Sequence, residues 1–412
     1  NADYLVGFQG QLTDTIGLDF GLRRTDYKFI ELGRGYVVTD LAAAAANSGA
    51  YDLADPYGAD PSVLAGIQAT INRESRWQTD EIYGLVSFDL FEMGGGTSNA
   101  VVGAEYREDT YVDQYDSLSE ATNQYGGPAV IGSAGNSSGG TRDAKAAYFE
   151  WLLPFTSTFD ITLAGRFDDY SDYGNDFAPK IAMRWQPLDS LTLRASYGQG
   201  FRAPTLDIVG QQPAFGADGI ADPRTCLAQG QPAGCQTQVT SYTIANPNVS
   251  SEQSNQYSLG LAWDATEWMS LTLDHYNIEI EDQLAFFDTA GLSACLAGTT
   301  TFCPGGVSAL PANLAPPQPS LGLGVARDPV TGEILYSQIG YSNLGTIETS
   351  GIDFAARTNF DLGAWGELSN LLQISYVGSY EVNGEDAIGD QGFPEFRATL
   401  QNSWSKGDFS VA

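Results

Sequence analysis

The 412-residue sequence predicts an all-β fold, a transmembrane antiparallel β-barrel, on three observations. Its strands alternate between an apolar face and a polar, small-residue face, at the period of two that sends successive side chains to opposite sides of a sheet. Its connections alternate too: every second one is short and the others are medium or long. That parity suits strands joined by tight turns at one membrane face and by long loops at the other. Six of the seven tryptophans, Trp151, Trp185, Trp263, Trp268, Trp365 and Trp404, lie beside the proposed short turns, where an interfacial girdle places indole. Only Trp77 sits at a long-loop end.

In chain order, Ala2–Gln11 reads as a strand that turns near Thr13. Ile16, Leu18, Phe20 and Leu22 then alternate with Gly17, Asp19, Gly21 and Arg23. Residues 26–79 form a long connection with an alanine run and a short helix near Pro61–Ala69. Ile82–Leu90 is the next strand, the Gly94–Ser98 turn reverses it, and Val102–Arg107 returns. After the connection 113–141, Ala144–Leu153 descends, Pro154–Thr158 turns and Phe159–Tyr170 ascends. A medium connection leads to Phe177–Trp185, a turn, and the strand beginning at Leu191. That strand ends in Phe201-Arg202-Ala203-Pro204, because proline has no N–H for a ladder and restricts the residue before it. The long connections 207–251 and 282–340 flank the strands Gln256–Trp263 and Met269–Glu281. Gly351–Phe360, Leu368–Tyr380 and Phe396–Trp404 follow, giving thirteen strands and the start of a fourteenth. One phase break stands out: Leu271 and Leu273 share a face, whereas Ile278 and Ile280 fall on the other. A bulge around His275–Asn277 is expected to restore the alternation.

Composition agrees with this plan. Gly (47), Tyr (21) and Phe (20) suit strands, turns and interfacial rings. No run of about 18–20 apolar residues exists, so no helix is expected to span a membrane. No secretory signal is visible, and the chain reads as a piece of a longer protein. The net charge of −32 excludes nucleic acid as a partner, since phosphate binding needs clustered Lys and Arg. It reads as the solvation of long loops. Cation bridging to lipid headgroups and selection for neutral or cationic ligands are the functional alternatives.

The four cysteines admit three pairings. The local one, Cys226–Cys235 with Cys295–Cys303, is predicted because each pair occupies its own Gly/Pro-rich loop. It implies an oxidising compartment. The spacing does not fit a CxxC redox or zinc site. A single histidine, His275, leaves no basis for a His-based triad or a multi-His metal centre, so no enzyme, cofactor or metal is predicted. The carboxylate clusters Asp168–Asp172 and Glu279–Asp282 read as solvated rims in preference to calcium sites.

Leu193–Leu206 (LRASYGQGFRAPTL) resembles the barrel signature of TonB-dependent outer-membrane receptors. Tyr148–Pro154, Gly165–Asp172, Ala178-Pro179-Lys180, Asn246–Ser254, Tyr257–Gly260 and Gly351-Ile352-Asp353 resemble the same family in the same order. The resemblance implies a 22-stranded barrel, of which this chain is a part, around an N-terminal plug that is not in this sequence. It also implies residence in the bacterial outer membrane, beside lipid and lipopolysaccharide. It further implies import of a scarce nutrient (a ferric siderophore, oligosaccharide, peptide or cobalamin-like ligand) energised by TonB, ExbB and ExbD. A passive porin or structural surface barrel is the alternative. Phe201, Arg202, Ala203 and Pro204 then have two readings, a contact with the plug or a strand-ending corner. The loops 26–79, 113–141, 207–251 and 282–340 would form an outer vestibule, with Tyr115, Tyr125, Phe215, Tyr242, Phe286 and Phe287 offering stacking surfaces. Arg23, Arg107, Arg166 and Arg202 would line the lumen, and Leu18, Leu163 and Leu259 would face lipid.

Overall fold

A computed structural model describes residues 1–120, 129–210 and 212–412. Period-two segments pair with their neighbours in chain order. The first eight strands are β1 (Ala2–Thr13), β2 (Ile16–Val37), β3 (Gln68–Met93), β4 (Gly96–Tyr115), β5 (Ser138–Thr156), β6 (Phe159–Tyr170), β7 (Gly174–Leu188) and β8 (Leu191–Arg202). β9 (Ala214–Ile220) and β10 (Thr237–Thr243) form a hairpin outside that wall. The wall resumes with β11 (Glu252–Thr266) and β12 (Met269–Phe287), and β13 (Ser308–Leu310) and β14 (Gly324–Arg327) again stand apart. β15 (Ile334–Asp361), β16 (Glu367–Val382), the two-residue β17 (Glu385–Asp386), β18 (Phe396–Lys406) and β19 (Phe409–Val411) complete the order. Every wall pairing is antiparallel, from β1–β2 through β8–β11, β12–β15 and β16–β18 to β18–β19. Among the described residues the sheet does not close on itself, and none of the helices is long and apolar enough to cross a membrane.

The two faces of the wall differ as the alternation requires. Phe20, Leu22, Ile82, Phe149, Ile181, Leu259 and Ile352 stand exposed on one face, an apolar band that water would not tolerate and lipid does. Arginines and carboxylates occupy the other, the lumen face of such a barrel. Trp185, Trp263, Trp268 and Trp365 are exposed near the short-turn edge. Trp151 donates its Nε1–H to Ser98 Oγ at 2.9 Å, and Trp404 donates to the Trp365 carbonyl at 2.8 Å. Trp77 instead packs on Tyr111 with ring centroids 5.7 Å apart.

Two sequence expectations need correction. The stretch 26–79 is not one loop: Asp26–Val37 and Gln68–Thr79 pair antiparallel as the upper halves of β2 and β3, with one register shift between Arg34 and Tyr36. Arg24–Asp80, Asp26–Arg76 and Lys28–Glu74 ion pairs replace the apolar band there. Above the lipid both faces of a strand are wet, so the two-faced signal disappears while the ladder continues. Likewise, no bulge occurs at His275–Asn277, where β12 pairs continuously with both β11 and β15. The register shifts fall at Ile280–Leu284 in β12 and at Ser350/Gly351 between β15 and β16. Ile278 and Ile280 therefore keep their polar-face parity. His275 lies on the lipid-facing parity, its Nδ1 3.0 Å from the Gly351 carbonyl beside the second shift.

The connections 207–251 and 282–340 fold together as a cap. Its sheet runs β9–β10–β15–β14–β13, with β10 parallel to β15 at Ser241–Thr243. Among the described residues the α-helices are α1 (Thr39–Asn47), α2 (Pro61–Gly66), α3 (Leu206–Gly210), α4 (Pro223–Ala228) and α5 (Thr289–Ala297), the last two belonging to the cap. Asp222 and Asp288 cap the last two through backbone N–H groups of Thr225 and Gly291, and Gly298 ends α5 in the left-handed conformation. Ile220, Val239, Ile244, Phe287, Leu292, Leu323, Val325, Ile334 and Ile339 form a buried core under them. Both disulfides are formed, Cys226–Cys235 with Cα atoms 5.9 Å apart and Cys295–Cys303 at 5.5 Å. Each core side chain contributes about 1.5–3 kcal/mol and each disulfide about 2–3 kcal/mol. The core therefore outweighs the staples, which trim two excursions at its edge.

Candidate ligand-binding vestibule

The lumen face is charge-paired from β1 to β12. Arg23 holds Asp3 at 2.8 Å, Arg107 holds Asp109 at 3.1 Å, and Arg166 bridges Asp168 at 2.8 Å and Glu105 at 3.3 Å. Arg184 meets Asp160 and Arg194 meets Asp274, each at 2.5 Å. Exposed pairs of this kind add about 0–1 kcal/mol to stability. Their larger effect is electrostatic, because each guanidinium expected to attract an anion already has a carboxylate. The acidic rim cluster is used in the same way: Asp168 holds Arg166 and Asp172 holds Arg142. Among the described residues, no three His, Cys, Asp or Glu side chains are grouped to hold a metal ion.

Phe201-Arg202-Ala203-Pro204 lies where β8 leaves the wall. Register places Arg202 opposite Glu252 and Phe201 opposite Gln253, so two of the singled-out sequence stretches meet across one strand pair. Arg202 binds the buried Glu252 carboxylate at 2.5 Å, and the same carboxylate accepts the Leu284 N–H at 2.8 Å. Pro204 is fully buried, and its carbonyl accepts from Arg142 Nη2 at 2.7 Å. Buried Arg142 also holds Asp172 at 2.6 Å and lies over the rings of Tyr170 and Tyr173. Next to it, Asp176 accepts from Tyr173 Oη, Ser251 Oγ and Gln253 Nε2 at 2.7–2.9 Å. The corner is a clasp joining β5, the β6–β7 connection, β8 and β11. Arg142 and Asp176 had no sequence signal of their own. Their partners stand 62 and 75 residues away.

The aromatic residues proposed for ligand stacking are divided by the fold. Phe287 is only 4% exposed, stacked on Phe302 inside the cap core. Tyr242 is half-buried between Phe215 and Tyr336, and burial raises its phenol pKa. Phe286 is exposed and meets Tyr341 edge-on at 5.2 Å. Tyr115 lies beneath the Arg73 guanidinium, 4.6 Å from its ring centroid, and borders a polar cavity of about 260 Å³ with Glu31, Tyr36 and Ser133. Tyr125 lies outside the described residues. The residues are thus brought into two groups, Phe215 and Tyr242 in the cap and Tyr115 beside β3, with Phe286 at the base of the cap.

The family model for the TonB dependent receptor-like β-barrel matches residues 1–412. The chain belongs to this family. A TonB-dependent receptor barrel is an outer-membrane protein of Gram-negative bacteria, and this chain forms part of the wall of one. It is 27% identical over 105 residues to the probable TonB-dependent siderophore receptor PirA of Acinetobacter baumannii, 26% of this chain and 14% of that protein. The crystal structure of that receptor covers 98% of this chain with a TM-score of 0.60 at 15% identity. A mutant ferric enterobactin receptor PfeA of Pseudomonas aeruginosa gives 0.62 at 14% identity, again over 98% of this chain. The outer membrane transporter YddB of Escherichia coli gives 0.60 at 10% identity and 98% coverage. At these identities the likeness shows the fold. The chain spans about half the length of the solved structures it matches, 48%, 47% and 48% in turn.

Proposed function

We propose that this chain is the wall and outer vestibule of a receptor that captures a scarce nutrient at the long-connection rim. The complete protein passes it to the periplasm with energy transmitted by TonB, ExbB and ExbD. The observation that carries this reading is the cap: two long connections are committed to one apolar-cored unit at the rim, above a polar lumen face. A passive pore needs no such investment at its mouth. Ferric siderophores are the preferred ligand class, supported by the names of the relatives. The net charge of −32 favours neutral or weakly charged complexes among them, since Arg23, Arg107, Arg166, Arg184, Arg194 and Arg202 are already paired with carboxylates. The clasp would hold the cap base in one position relative to the wall during capture. Uptake of iron-loaded siderophores by cells expressing the complete gene tests the reading. Uptake should require both the gene and TonB. Equal uptake without TonB would reject active import in favour of a passive porin.

A further inference from the structure

A cavity of about 870 Å³ lies in the cap, within the range of about 300–1,000 Å³ that small-molecule sites occupy. All its walls come from the two long connections that build the cap. One wall is a single face of α5: Ala290, Ser293, Ala294 and Ala297 follow the three-to-four spacing that stacks side chains, while Leu292 turns the other way into the buried core. Ile220, Leu310 and Val325 add aliphatic surface, and the described lining holds no aromatic ring. The charged lining residues are gathered around Gly332. Arg327 holds Asp222 at 2.8 Å and donates to the Gly332 carbonyl at 2.8 Å. Gly332 has φ +76°, and a Cβ there would come within 2.8 Å of Arg224 Cδ, so this glycine gives the Arg224 stem its place. Two arginines against one aspartate make the lining positive in a chain of net charge −32. The two disulfides border the same cavity. Cys226–Cys235 ties α4, which carries Arg224, to the neighbour of the lining residue Gln236. Cys295–Cys303 ties the last turns of α5, which carry Ala294 and Ala297. The apolar core keeps the cap folded, so the effect of the staples falls on these walls.

We propose that the cap cavity binds an aliphatic carboxylate of medium chain length, with the two disulfides holding its walls in the binding geometry. The chain lies along the alanine face of α5 against Ile220, Leu310 and Val325, and its carboxylate meets Arg224. An aromatic ligand finds no ring to stack on, and a cationic one meets the arginines. Walls fixed in advance spare the ligand the cost of ordering them. The site stands apart from the transport reading, because binding requires neither TonB nor passage through the lumen. Calorimetric titration of the complete receptor in lipid nanodiscs, with empty nanodiscs as the blank, tests it. The probes are octanoate, butanoate and octyltrimethylammonium. Octanoate should bind at least about tenfold more tightly than either of the others. Arg224→Lys should keep the preference for octanoate over the cation, and Arg224→Gln should remove it. Ala294→Phe fills the cavity and should weaken octanoate at least about tenfold. Cys226→Ser with Cys235→Ser, or Cys295→Ser with Cys303→Ser, should weaken it at least about fivefold. Retained amide protection in β9 and β14 checks that each variant cap is folded. Arg224 is exposed, so its variants decide the matter even where Ala294→Phe unfolds the cap. No binding of octanoate at millimolar concentration, equal affinity for octanoate and either other probe, or an octanoate affinity unchanged by Arg224→Gln overturns the site. Full octanoate affinity in both serine variants overturns the role given to the disulfides.

Discussion

At the residue scale, two polar groups of the rim have consequences that can be measured. Glu252 is buried and its exposed partner Arg202 is the cation that neutralises it. Arg202→Ala leaves that carboxylate with the Leu284 N–H alone, and about 1–3 kcal/mol of stability should be lost. Glu252→Gln keeps an acceptor for Leu284 and should cost less. Urea titration of both variants orders them, and the opposite order would refute the clasp as drawn. Asp222 is the second group. Burial raises the pKa of its carboxyl, but ion pairing with Arg327 and hydrogen bonds from Thr225 outweigh this and bring it to about 2 from an ordinary 3.8. A lowered carboxyl stabilises the fold above its unfolded value and loses that contribution as pH falls through the folded one. The protection of the 222–228 amides against exchange, taken relative to the intrinsic rate at each pH, should therefore be level from neutrality to about pH 4 and fall between there and pH 2. Asp222→Asn should remove that step. A variant that retains it would place the acid sensitivity elsewhere.

At the element scale, the strands and the cap obey different physics. A wall strand is specified by its own alternation, because one side meets lipid and the other a polar lumen. This is why Leu191–Arg202 or Phe159–Tyr170 is legible from a dozen residues. The cap has no such period. Its core unites Ile220, Leu292 and Ile334, residues with no common local pattern. Nothing in the alternation of β12 announces that Phe286 turns out and Phe287 turns in. The cysteine pairs were legible because each is closed over a short loop. Since the core outweighs them, replacing either pair by serine should cost about 2–3 kcal/mol and leave the cap folded. Amide exchange should quicken in 223–235 or 289–303, with β11 and β12 unaffected. Loss of the whole cap from either double substitution would show that the disulfides dominate.

On the scale of the whole molecule, the apolar band sets where the chain sits and the ion-pair ladder of β2 and β3 sets where that band stops. Leu259→Arg places a cation in the band and should cost roughly 2–4 kcal/mol if it lies near the midplane. Refolding into bilayers and reading the denaturant midpoint measures this. A neutral result would reverse the assignment of faces. The same substitution at Lys28 or Arg76 height would be harmless, because those positions already carry charge.

The sequence by itself determined the all-β class, the alternation of faces, the parity of connections and the pairing of cysteines. Each is a local pattern imposed by a solvent boundary or a short loop. Only the tertiary structure decided how far the strands rise above the lipid, which rings are buried in the cap, and how Arg142, Arg202, Asp176 and Glu252 close the rim. Those outcomes depend on pairs up to 77 residues apart, and no repeat along the chain encodes which carboxylate a given arginine will meet.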